Sequence, residues 1–252
     1  MSGATAGQRP RSGLGGWWVA RGYRSNPFAC SNAADVGEDR FSVLFQAWYI
    51  DPNAEADLAG FGPTPTLDVV SAEEIGLVLV YAPTGGGKTF YRRLAAHQVK
   101  ESRGAECTLE ISNIAGQVPD PDNVTALDLA LCVHDQVSRF SPQSTPPPPD
   151  PHVARIFRQC DDMIERLALG SQEPKRLYVF IDDVNQLFNE RPARADQNTR
   201  ALQALLDFCT VAAARGGGEP LALRLFIPEQ LRGPIQEGLG ESRRARIKEC
   251  TI

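Results

Sequence analysis

Between residues 82 and 89 the chain reads A-P-T-G-G-G-K-T, three consecutive glycines ahead of a lysine and a hydroxyl. Gly85, Gly86 and Gly87 let successive backbone amides converge without Cβ interference, and such amides, followed by the positive end of a helix dipole, cradle an anion. Lys88 adds a cation that would reach the outer phosphates of a polyphosphate, and the Thr89 hydroxyl is a hard oxygen of the kind that enters a Mg²⁺ shell. A metal held this way needs an acid as well. Residues 178–183 (YVFIDD) end an apolar run in two of them. Asp182 would hold the metal through its water, and Asp183 is placed to polarise an attacking water. The plainer use of Asp183 is to cap the next turn together with Asn185.

These groups work together only if the fold carries them to one edge of a sheet. Residues 75–81 (IGLVLVY) form a continuous aliphatic, β-branched run, the pattern of a strand buried on both faces of a parallel sheet. The run leads into the glycine turn, and residues 88–101 (KTFYRRLAAHQVKE) then show apolar positions at helical spacing. Further strands are expected at 107–111, 177–181, 221–227 and 247–252, with helices at 124–140, 152–169 and 199–214. In the 152–169 helix Val153, Ile156, Phe157, Cys160, Met163, Ile164 and Leu167 share a face. Residues 141–151 (SPQSTPPPPDP) must be extended, because each proline lacks an amide donor and disfavours helix in the residue before it. Alternating strands and helices predict a three-layer α/β/α fold around a parallel sheet, with the glycine turn and the acids at the carboxyl edge where ligands bind.

The 252 residues, 42% hydrophobic and 23% charged, suit one core-bearing domain. We expect a tail at 1–25 around Trp17 and Trp18, an entry segment at 26–70, and a core at 71–252. With 26 Lys plus Arg against 31 Asp plus Glu, the net charge of −5 excludes the global basic excess of a protein held by nucleic-acid phosphates. No run approaches the roughly 18–20 apolar residues that cross a bilayer, and the N-terminus has no apolar secretion segment, so the chain reads as cytoplasmic. The six cysteines include no C-x-x-C pair and read as reduced core residues. His97, His134 and His152 are too far apart in sequence to suggest a metal site and read as surface or packing residues.

The pattern A-P-T-G-G-G-K-T is G-x-x-x-x-G-K-[ST] with alanine for the first glycine. Followed by a long helical insertion and then Y-V-F-I-D-D, it resembles the Walker A and Walker B boxes of additional-strand P-loop ATPases, particularly the AAA+ and STAND branches. The similarity covers residues 26–252, and Asn26-Pro27-Phe28 resembles an entry motif that lies near the adenine in several such proteins. The resemblance implies ATP and Mg²⁺ as cofactors, bound by Pro83, Thr84, Gly85, Gly86, Gly87, Lys88, Thr89 and Phe90, with Thr89 and Asp182 on the metal and Lys88 and Asp183 in catalysis. It implies the strand order 5-1-4-3-2 and a nucleotide-dependent switch or assembly ATPase, slow in isolation, that meets a protein partner or itself.

Two departures bear on that expectation. The run at 221–227 ends in Pro228-Glu229-Gln230, where an AAA+ sensor would show Asn or Thr, and no helical lid follows the core before Ile252. Arg243, Arg244 and Arg246 are either an arginine finger for a neighbouring subunit or a solvated helix end. No Asn-Lys-x-Asp tetrad points to guanine. The alternatives are a nucleotide-holding scaffold with little turnover, against which the second acid argues, and a small-molecule kinase, for which no lid arginines or substrate pocket can be located.

Overall fold

The computed structural model describes residues 65–72, 74–83, 88–103, 107–140, 145–168, 176–188, 195–216 and 218–252. The expected tail, the entry segment as far as residue 64 with Asn26-Pro27-Phe28 and Cys30, and loop residues 84–87 lie outside them.

In chain order the elements are α1 (Pro65–Ser71), β1 (Leu77–Ala82), α2 (Lys88–Arg103), β2 (Thr108–Ile111), α3 (Ala126–Phe140), α4 (Val153–Ala168), β3 (Leu177–Ile181), α5 (Ala195–Ala214), β4 (Leu221–Pro228), α6 (Arg232–Arg244) and β5 (Lys248–Thr251). One-turn 3₁₀ segments at Pro121–Asn123, Val184–Leu187 and Glu229–Leu231 precede α3 and follow β3 and β4. The five strands form one sheet in the order β2-β3-β4-β1-β5, with every pairing parallel; from the β5 edge this reads 5-1-4-3-2. The described part of the proline-rich segment, 145–151, is neither helix nor strand.

Every residue of β1, β3 and β4 is buried, which is why those runs are continuously apolar, whereas edge strand β5 is partly exposed. The register sets two faces. Leu79, Val179, Ile181, Leu223 and Leu225 share one, and join Val133, Phe157, Phe208 and Ile235 from α3, α4, α5 and α6 in the main core. Phe157 and Phe208 meet edge to face at 5.3 Å. The other face carries Val78, Phe180 and Arg224 under α1 and α2, completing three layers.

Two buried charges fasten the layers. Arg224 lies inside the apolar run of β4 with no exposed surface, and its guanidinium donates to the carbonyls of Val70, Ala72, Ile75 and Leu223. Burial lowers its pKa, and the C-terminal carbonyls of α1 supply the negative dipole end that a cation needs there. On the opposite face Asp161 of α4 pairs with Arg215 at 2.5 Å and accepts the Leu221 N–H at 3.0 Å, pinning the start of β4.

Cys132, Cys160 and Cys209 are buried, and these three with Cys107 and Cys250 are free thiols. Among the described residues no helix is long and apolar enough to cross a membrane.

Candidate functional site

β1 and β3 flank β4, and their parallel course delivers the end of the first and the acids of the second to the same carboxyl edge of the sheet. The Asp182 N–H donates to Ile111 O at 2.9 Å, which carries the β2–β3 pairing one step beyond the strand and fixes the acid's backbone. Asp182 is 1% exposed, and both of its carboxylate oxygens are engaged. Oδ2 accepts the Thr89 hydroxyl at 2.9 Å and Oδ1 accepts the Asp183 N–H at 2.8 Å. Lys88 begins α2, and its Nζ donates to Pro83 O at 3.3 Å, so the end of β1 and the start of α2 are tied across the glycine loop. Phe90 is half-buried in the first turn of α2.

The backbone of Asp183 is left-handed, with φ 59° and ψ 24°, and it is the positive-φ residue other than glycine among those described. Aspartate tolerates this region better than most side chains, and such conformations concentrate at functional sites. Asp183 does occupy the cap position of the 184–187 turn, and its carbonyl accepts the Gln186 N–H at 3.0 Å, but its carboxylate makes no capping hydrogen bond. The plainer capping role therefore does not account for the side chain.

Two charge effects distinguish the site. Burial lowers the Lys88 pKa, opposed by the charges of Asp182 and Asp183. Burial raises the Asp183 pKa, the Asp182 carboxylate adds to the rise, and Arg92 and Lys88 oppose it. Asp183 is thus a stronger base than a surface carboxylate.

The Thr89 hydroxyl and the Asp182 carboxylate form a pair of hard oxygen donors. Among the described residues no group of three or more His, Cys, Asp or Glu could hold a metal. This donor set fits a cation that draws most of its shell from water and phosphate, as Mg²⁺ does, and does not fit an all-protein metal cage. Comparison of the chain with protein-family models, curated proteins and solved structures gave no match. Function must therefore be read from the site itself.

Sequence reasoning passed over two of the site's residues. Arg92, 2% exposed, lies one turn beyond Thr89; its NH1 pairs with Glu110 Oε2 at 2.5 Å and its Nε stands 3.4 Å from Asp182 Oδ2. Lys100 approaches the other oxygen of Glu110 at 3.8 Å. The available signal was an arginine heading the stripe of Ala95, Ala96 and Val99 on the buried face of α2, and an acid within the short strand β2.

The other residues singled out in the sequence make contacts of their own. Arg243 and Arg244 are exposed at the end of α6, with Arg246 just beyond, where the chain has returned to the amino edge of the sheet to enter β5. Glu229 follows β4 at the same carboxyl edge and pairs with Arg232 at 3.2 Å. His97 and His134 are buried in α2 and α3, while His152 is exposed ahead of α4, and its Nδ1 accepts the Arg155 N–H at 3.3 Å.

Proposed function

We propose that the chain binds ATP with Mg²⁺ at this carboxyl edge and hydrolyses it slowly to ADP and phosphate, acting as a nucleotide-dependent switch or assembly ATPase of the additional-strand P-loop class. The observation that carries this reading is the pairing of Thr89 with Asp182 at 2.9 Å, with Lys88 at the head of the same helix. A lysine and a hydroxyl opening a helix beside a buried acid suit a phosphate chain and its cation better than any uncharged ligand.

In this reading Lys88 exchanges its carbonyl partner for phosphate oxygens and neutralises charge that grows there as the terminal bond breaks. Thr89 and Asp182 would hold Mg²⁺, which when bound spreads the negative charge of the phosphates. Asp183 orients a water and takes its proton as the water oxygen bonds to phosphorus and the bond from phosphorus to the ADP oxygen breaks. A protein partner, or a second copy of the chain, would complete the site for faster turnover. The free thiols accord with a reducing cytoplasm.

The test is thermal unfolding with and without Mg-ATP. At one hundred times its dissociation constant, a ligand confined to the native state adds about 2.7 kcal/mol. The wild-type melting temperature should rise and Lys88→Ala should lose the rise; no shift in the wild type refutes the reading.

A further inference from the structure

The guanidinium of Arg92 lies between two acids, and its position suggests a task beyond filling space. Its NH1 donates to Glu110, while its Nε, buried and without a hydrogen-bond acceptor, stands 3.4 Å from Asp182 Oδ2. That oxygen is the one that accepts the Thr89 hydroxyl. Thr89 has a single proton to donate, so an Asp182 held in one orientation also fixes where the hydroxyl lone pairs point. A charged N–H without an acceptor is costly in a buried site, and the Asp182 carboxylate stands close enough to offset that cost. Glu110 keeps the guanidinium from turning away.

We propose that Arg92, braced by Glu110, is a positioning residue that aligns Asp182, and through it the Thr89 hydroxyl, for a divalent cation. The inference rests on the reading that Thr89 and Asp182 take Mg²⁺. The direction of the effect separates positioning from simple charge. A cation beside a metal site repels the metal, so if Arg92 acted by charge alone its removal would tighten Mg²⁺ binding. If it acts by alignment, removal loosens it, and outer partners of metal ligands are typically worth about 10- to 100-fold in affinity.

The experiment follows a fluorescent ATP analogue bound to the full chain, titrated with Mg²⁺ and measured separately in EDTA. Arg92→Met should raise the Mg²⁺ concentration of half-maximal enhancement about 10- to 100-fold, well beyond any change in affinity measured in EDTA. Arg92→Lys should recover part of the loss, since an ammonium can face one acid but cannot bridge both. Glu110→Gln should shift the midpoint in the same direction by less. It serves as the second variant because Glu110 is partly exposed, so it decides the matter should Arg92→Met fail to fold. A midpoint that is unchanged or lower in a folded variant overturns the proposal. A wild type that binds the analogue with no response to Mg²⁺ overturns the metal reading and this proposal together.

Discussion

Asp183 carries two costs that a surface aspartate avoids, a left-handed backbone and a partly buried charge beside Asp182. Its raised pKa means that the folded state holds the proton more tightly than the unfolded one. The resulting stabilisation is complete below the ordinary aspartate value of about 4 and is lost as pH rises through the raised value. At neutral pH the ionised carboxylate therefore opposes folding. Asp183→Asn should raise the melting temperature at pH 7, with the difference closing as the pH falls toward about 4. On the proposed reading the same change also removes the base, and turnover should fall about 100-fold or more while ATP stays bound. Wild-type hydrolysis by this variant would place the base elsewhere, with Glu229 next to test.

Elements of this fold depend on local backbone features that cannot be exchanged freely. Gly240 interrupts α6 at φ 68° and ψ 163°, with nothing within 4 Å of where a Cβ would stand. The obstacle to a side chain is thus conformational, not steric contact, and Gly240→Ala should cost about 1–3 kcal/mol in urea-induced unfolding. α1 depends on a different device. Arg224→Met would leave the carbonyls of Val70, Ala72 and Ile75 without their donor. Each such group costs about 1–3 kcal/mol when buried. The variant should unfold at lower denaturant, and amide exchange should quicken in Pro65–Ser71 before it does in β4; uniform exchange across the domain would show that Arg224 does not hold that helix specifically.

At the scale of the whole molecule, Arg243, Arg244 and Arg246 sit at the sheet edge opposite Lys88 and Asp182, so in one chain they do not complete the candidate site. An arginine contributed by a neighbour is worth about 10³- to 10⁵-fold in GTPases where it has been measured. Turnover per chain should accordingly be slow in dilution and climb with protein concentration as light scattering reports association. Fast turnover at constant specific activity in a strict monomer would mean that each chain already holds every group the reaction needs, and the switch reading would fall.

The strands, most helix limits and the residues Lys88, Thr89, Asp182 and Asp183 were legible in the sequence because their signals lie in consecutive residues: continuous apolar runs, helical spacing, glycines before a lysine, acids after a strand. Arg224 shows where that reading stops. Within L-A-L-R-L-F-I it is an unexplained charge until α1 and the residues just after it bring three carbonyls to it from more than 140 positions away. The same holds for Arg92, Glu110 and Asp182, which stand on three separate elements and meet only because β2 and β3 pair side by side under α2. The left-handed turn at Asp183 was equally hidden, since aspartate permits that conformation without demanding it. Periodicity records which face of an element is apolar. Which charges face one another across two elements depends on strand register and helix packing, and these are settled by the burial of the whole core.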